Sequence, residues 1–120
     1  MTTSNINPRR GEIWDINLDP TRGHEIQKTR PAIVISSDAI GKLRLKIIVP
    51  VTEWKAAFAD NPWHVPLKPT PVNGLSKDSA ADALQVRSVS FERFTTKRGR
   101  VTQLEMEEII QALGAVVEFS

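Results

Sequence analysis

The chain contains no cysteine and no tyrosine, and its histidines number two. Without cysteine there is no disulfide framework, no thiolate metal site and no thiol nucleophile, which fits a reducing cytoplasm. His24 and His64 are forty residues apart in sequence, and neither belongs to a metal-ligand spacing. A zinc site would have to gather both histidines and distant carboxylates, so no metal and no cofactor are expected. No apolar run approaches the roughly 20 residues of a membrane span. The opening MTTSNINPRR lacks the apolar stretch of a secretory signal. Glycine-rich phosphate loops and GxSxG nucleophile turns are missing too. With aromatic residues at 6%, a broad base-stacking platform is disfavoured.

What is present is ordinary in amount and uneven in distribution. Hydrophobic residues make up 40% and charged residues 25% of 120 positions, the usage of one folded domain. The net charge of +2 hides an asymmetry. Residues 1–100 carry all 16 basic side chains against 10 acidic ones, whereas residues 101–120 carry Glu105, Glu107, Glu108 and Glu118 and no Lys or Arg. A basic body with an acidic end suits a polyanionic partner bound away from that end. It equally suits a solvated surface with an acidic terminal helix.

Period-two patterning dominates. Residues 1–8 read as a loose polar tail and residues 9–120 as a single domain. From Glu12, Trp14, Ile16 and Leu18 alternate with Asp15 and Asn17, a half-buried strand. A long polar connection follows, from Asp19-Pro20 to Arg30-Pro31; connections of this length in a small domain are often functional. Ala32-Ile33-Val34-Ile35 suits a strand buried on both faces. Gly41-Lys42 turns into a third strand, Leu43 to Thr52. Trp63, Val65 and Leu67 alternate in a fourth, which Pro66 places at a sheet edge. Ala83 to Val89 reads as a fifth, with Leu84 and Val86 on one face and Gln85 and Arg87 on the other. Thr102-Gln103-Leu104-Glu105 is a capping-box pattern. It opens a helix whose stripe is Met106, Ile109, Ile110, Leu113, Val116 and Val117. The class is α+β, mainly β: a small SH3-like rolled antiparallel sheet, or partly open barrel, with a C-terminal helix.

The candidate chemistry is polar and sits at strand ends. Arg22, His24, Glu25, Lys28 and Arg30 lie in the 19–31 connection, Thr52 and Glu53 end strand three, and Gln85 and Arg87 share the fifth strand. Rolled together, they would make a basic groove holding hydroxyl and imidazole groups. Such a groove suits metal-free RNA cleavage: a 2′-hydroxyl attacks its own phosphate, a base and an acid move protons, and a cation holds the developing charge. Each residue also has a structural alternative: Arg30 an ion pair, Thr52 a strand preference, Arg93 to Arg100 a surface charge run.

Gly11-Glu12-Ile13-Trp14, Asp19-Pro20-Thr21, Gly23-His24-Glu25, Gln27 and Thr29-Arg30-Pro31 resemble the opening of the MazF/PemK toxins, the Kid-like branch in particular. Val49-Pro50-Val51-Thr52, Gly74-Leu75 and Gln85-Val86-Arg87-Ser88-Val89 extend the resemblance to about residues 9–119. It implies a CcdB/MazF/PemK-like fold, a homodimer, and the toxin of a type II toxin–antitoxin system. The implied activity is a ribosome-independent, metal-independent mRNA interferase. It cuts single-stranded RNA at short sequences, leaves 2′,3′-cyclic phosphate and 5′-hydroxyl ends, and stops translation. A cognate MazE/PemI-like antitoxin is the implied partner. By position, Arg30 stabilises the phosphate, Thr52 orients the reacting group, and His24 and Glu25 belong to the loop over the substrate. Arg22, Gln27, Lys28, Thr29, Glu53, Gln85 and Arg87 are the expected RNA contacts. The sequence departs from the family pattern at Leu84, where relatives commonly carry an acid, and at Asp82, where the Kid-like branch has an arginine. The general base is therefore open among His24, Glu25 and a water-assisted Thr52, with Asp82, expected to face the side of Leu84, a lesser candidate. Two alternatives are a relative that binds RNA or antitoxin without turnover, and a gyrase poison of the CcdB type.

Overall fold

The structure is a computed structural model that describes residues 6–19, 23–25, 28–40 and 43–119. Most of the assigned N-terminal tail (residues 1–5), Arg22, Gln27 and the Gly41-Lys42 turn lie outside the described residues. The strands are β1 (Glu12–Asn17), β2 (Thr29–Val34), β3 (Leu45–Glu53), β4 (His64–Leu67), β5 (Ser79–Asp82), β6 (Arg87–Ser90) and β7 (Phe94–Arg100). Among the described residues one α-helix, α1 (Gln103–Val116), follows. Among the described residues, the sheet order is β4-β5-β3-β2-β1-β7, with β6 also paired to β3. Every strand pairing is antiparallel. No helix of the described residues is long and apolar enough to cross a membrane.

The sheet is open and carries a core on each side. Ile33 and Ile35, with Val49 and Val51, join the cluster that α1 covers through Met106, Ile109 and Ala112. Ala32 and Val34, with Ile48, join a second cluster with Ile16, Leu18, Val89 and Phe94. Successive side chains of a strand point to opposite faces, so the unbroken run Ala32–Ile35 is buried on both sides, as its sequence implies. The proline-bearing β4 lies at an edge, also as expected.

Two expectations need correction, and one strand lies where the sequence offered no element. Residues 83–89 are not one strand: Ala83–Gln85 form a 3-10 turn between β5 and β6. The Asp82 carboxylate accepts the Leu84 N–H at 3.1 Å, and the Ala83 N–H donates to Trp63 O at 2.9 Å, which draws the backbone off the ladder. Leu84 is consequently exposed and does not share a buried face with Val86, which is half-buried. The basic run after Arg93 is that strand, β7, paired to β1 across two register shifts. Its TTKRGR composition gives no apolar alternation, because this edge strand is largely solvent-facing. Secondly, Ile110 and Val117 are exposed, and Ala112 takes the central place on the helix stripe. The capping box itself forms, with Thr102 Oγ1 accepting Glu105 N–H at 3.0 Å and Glu105 Oε1 accepting Thr102 N–H at 2.8 Å.

The segment between β4 and β5 is held on β7 by backbone contact. Buried Asn73 accepts the Thr70 and Leu75 N–H groups at 2.9 and 3.0 Å and donates to Lys68 O at 2.7 Å. Arg100 N–H donates to Val72 O at 3.0 Å. A Cβ on Gly99 would stand 2.1 Å from Val72 O, so only glycine allows this approach. Gly99→Ala should therefore lower stability by about 1–3 kcal/mol through overpacking. Urea unfolding of the two proteins checks it, and a midpoint unchanged from wild type would remove the close approach as a constraint.

Candidate active site

The last paired residues of β2 and β3 at this end of the sheet are Ala32 and Pro50. Two residues further along each strand stand Arg30 and Thr52, on the sheet side that Ala32 and Pro50 occupy. Both line a cleft of about 230 Å³, together with Glu53, Lys77, Ser79 and Arg98. The structure thus brings together Arg30, Thr52 and Glu53 of the residues expected from sequence. It adds two cations, Lys77 and Arg98.

Arg98 is aimed by its neighbours. Its Nε meets Asp15 Oδ1 at 2.6 Å and its Nη1 donates to Gly74 O at 3.1 Å, so β7 delivers a guanidinium to the cleft in one orientation. Lys77 Nζ stands 3.4 Å from Glu53 Oε1, an exposed pair across the cleft mouth. Next to Arg98, Lys97 Nζ binds Glu12 Oε2 at 2.8 Å. Burial pushes the Glu12 carboxyl up, but hydrogen bonds from Lys97, the Trp14 indole and the Arg9 N–H outweigh it and hold it below the ordinary range. In sequence, Arg98 belongs to the basic run 93–100, which follows the candidate polar residues and has surface charge as its alternative reading. The available signal was Gly99, since a glycine inside a strand marks close backbone approach.

The other expected residues gather around the β1–β2 connection. Leu18 N–H donates to Lys28 O at 3.1 Å, and Lys28 N–H donates to Asp19 Oδ1 at 2.8 Å, closing the base of this hairpin. Lys28 pays with a left-handed backbone, φ 69°. Arg87 Nη1 donates to Leu18 O at 3.3 Å, and Arg93 Nη1 donates to Asn17 O at 2.9 Å and to Asp19 O. Gln85 Nε2 reaches His24 O at 3.5 Å. Gln85 and Arg87 therefore brace the loop that carries His24 and Glu25. His24, Glu25, Lys28 and Thr29 are exposed, and none of them lines the Arg30–Thr52 cleft.

Asp82 does not face the side of Leu84. Its carboxylate is buried, with Oδ2 3.4 Å from His64 Nε2 and Oδ1 accepting the Leu84 N–H. His64 is in turn stacked on Phe58, with ring centroids 3.7 Å apart, and its Nδ1 is 3.1 Å from Asn61 Nδ2. Asp82 is committed to the fold on this geometry. A larger concavity of about 760 Å³ lies beside Arg10, Arg100 and the start of α1 and contains none of the expected site residues. The smaller cleft is the candidate site, because Arg30, Thr52, Lys77 and Arg98 all line it.

Residues 9–117 match the family model described as PemK-like, MazF-like toxin of type II toxin-antitoxin system. The chain belongs to this family. It is 39% identical over 111 residues to endoribonuclease MazF9 of Mycobacterium tuberculosis, covering 88% of this chain and 92% of that protein. Over a shorter stretch of 44 residues, 36% of this chain and 33% of the relative, it is 52% identical to endoribonuclease PemK of Escherichia coli. The crystal structure of MazF from Deinococcus radiodurans superimposes with a TM-score of 0.81 at 26% identity, covering 96% of this chain and 100% of that one. A MazE–MazF structure from the same organism gives 0.74 at 27% identity, with 97% and 100% covered.

The structural assignment of Asp82 is testable by truncation. Asp82→Ala leaves the His64 ring and the Leu84 N–H without their acceptor and should cost about 1–3 kcal/mol in chemical unfolding. Unaltered stability would return Asp82 to the list of groups available for proton transfer.

Proposed function

We propose that this PemK/MazF-like toxin is a sequence-specific endoribonuclease that cuts single-stranded RNA, mRNA included, without metal and without the ribosome. The observation that carries the reading is the pairing of Arg30 and Thr52 at adjacent strand ends in one cleft with Arg98. The strand enters with its scissile phosphate between the two arginines. Guanidinium groups bind phosphate oxygens in a bidentate fashion and cannot lose their protons at working pH, so they stabilise charge rather than donate it. The 2′-hydroxyl oxygen attacks the adjacent phosphorus, the P–O5′ bond breaks, and the products carry 2′,3′-cyclic phosphate and 5′-hydroxyl ends. The nucleophile comes from the RNA itself, so the enzyme need not activate a water. Thr52 orients the reacting phosphate through its hydroxyl. His24 or Glu25, on the loop braced by Gln85 and Arg87, accepts the 2′-proton; the leaving 5′-oxygen takes a proton from water, and the base returns its own to solvent. Arg22, Gln27, Lys28, Thr29, Glu53, Gln85 and Arg87 are proposed to shape or contact the RNA path.

Residues 9–120 are proposed to act as one domain, in the cytoplasm, where messenger RNA is accessible. A relative solved with MazE supports a MazE/PemI-like antitoxin as partner, and a chain occupying the cleft would compete with RNA. Leu43, Leu45 and Ile47 are exposed apolar residues in and just before β3, and a second copy of the chain is the proposed cover. The exposed Leu84, at a position where the family resemblance implies an acid, favours a second reading in which RNA is bound but not cut.

Incubation of the purified chain with long single-stranded RNA in EDTA, followed by end-group mapping, separates these readings. Cleavage with cyclic-phosphate and 5′-hydroxyl ends is expected. Arg30→Ala should lower the single-turnover rate about 100-fold or more, as loss of a charge-stabilising donor does. Thr52→Val, which keeps the shape, should lower it roughly tenfold, and His24→Gln should flatten the acidic limb of the pH–rate profile if His24 is the base. Intact RNA across several sequence-diverse substrates would overturn the nuclease reading.

A further inference from the structure

A second hollow of about 190 Å³ adjoins the cleft, lined by Trp54, Pro66, Leu67, Lys68, Asp78 and Ser79. Ser79 lines both. The strand register sets Thr52, Ala80 and Pro66 in one row across β3, β5 and β4. Two rows further out, beyond Glu53, Ser79 and Leu67, Trp54 N–H donates to Asp78 O at 3.0 Å and Lys68 Nζ meets Asp78 Oδ2 at 3.3 Å, so Trp54, Asp78 and Lys68 follow on from the ladder. Alternation then puts Trp54 on the same face as Thr52, two residues and roughly 6.6 Å along the strand.

The indole is held in place from one side. Phe58 meets it edge-on, with centroids 5.8 Å apart at 89°, and Phe58 is itself stacked flat on His64. Buried Asp82 and half-buried Asn61 contact that imidazole in turn. Trp54 is therefore a half-buried ring in T-shaped contact with Phe58, sharing a hollow with Lys68 and standing two residues from Thr52. A single-stranded nucleic acid asks for such an alternation, cations for its phosphates and a flat apolar surface for each base. Few aromatics in the chain exclude a broad platform, but one ring at this position suffices for one base.

We propose that Trp54 is the stacking platform for a nucleobase adjoining the scissile phosphate, with Lys68 and Lys77 flanking that nucleotide's backbone. The inference rests on the endoribonuclease reading above and names a base subsite for it. Stacking tolerates any base, so this subsite supplies affinity and register more than sequence choice. Register matters because a strand anchored two residues from Thr52 presents one phosphate, and not its neighbour, to Arg30.

The test uses the full chain and an RNA whose cleavage site has been mapped with the wild-type protein. A companion series replaces each base flanking the scissile bond, in turn, by an abasic site. Trp54→Ala and the bulk-preserving Trp54→Leu should raise the RNA concentration for half-maximal single-turnover cleavage about 5- to 150-fold, the worth of one stacked base. The rate at saturation should stay within about threefold, since the contact is uniform binding. Trp54→Phe should recover most of the affinity. One abasic position should weaken wild type by a similar factor and leave Trp54→Leu unaffected. Wild-type cleavage with the abasic penalties undiminished in Trp54→Leu would overturn the subsite alone. A wild type that cuts no RNA would overturn the endoribonuclease reading, and the subsite with it.

Discussion

The pairing of β2 with β3 is the constraint on which the rest of the molecule depends. Ala32, Ile33 and Val34 face Pro50, Val49 and Ile48, and alternate residues of this short ladder enter two different cores. Each fully buried Ile or Val contributes about 1.5–3 kcal/mol, so the register is over-determined from both sides. A slip by one residue would turn every one of these side chains into the wrong core. It would also part Arg30 from Thr52. The same apolar run that holds the sheet together therefore sets the spacing of the polar pair at its end.

Around that rigid centre, the functional segments are tied by polar contacts to backbone. Arg87 and Arg93 hold carbonyls at the base of the β1–β2 connection, Asn73 organises the loop before β5, and Asp82 turns the chain between β5 and β6. Arg98 is steered by Asp15 and Gly74 O. These contacts divide the basic residues into two groups. Arg87 and Arg93 support loops; Arg30, Arg98 and Lys77 face the cleft. A strand polyanion would meet the second group, while the acidic end of the chain stays on α1.

Much of this arrangement was legible in the sequence where burial dictates pattern. The two-faced run Ala32–Ile35, the alternation of β1, the edge position signalled by Pro66 and the capping box at Thr102 all follow from local rules. Arg30 and Thr52 were legible as strand-end residues, and their common cleft follows from a rolled sheet. What escaped is what local pattern does not encode. The break at Ala83–Gln85 comes from a side-chain hydrogen bond of Asp82 and a backbone bond to Trp63, both tertiary. β7 is an exposed edge strand without apolar alternation, so the run Arg93 to Arg100 left two readings open, part of the polar candidate set or surface charge. Lys77 is positioned by a loop whose shape depends on the contact between Gly99 and Val72. Gln85 and Arg87, expected from sequence as RNA contacts, bond to the β1–β2 connection and do not line the cleft.

The central claim is that Arg30 and Thr52 act as one unit, because the β2–β3 register holds them on the same phosphate. A double-mutant cycle on single-turnover RNA cleavage, with Arg30→Ala, Thr52→Val and the double variant, tests this most directly. The account predicts that the double variant loses much less than the product of the single losses, a coupling of about 1 kcal/mol or more. Losses that multiply without coupling would contradict it, leaving Arg30 and Thr52 as independent contributors that merely share a cleft.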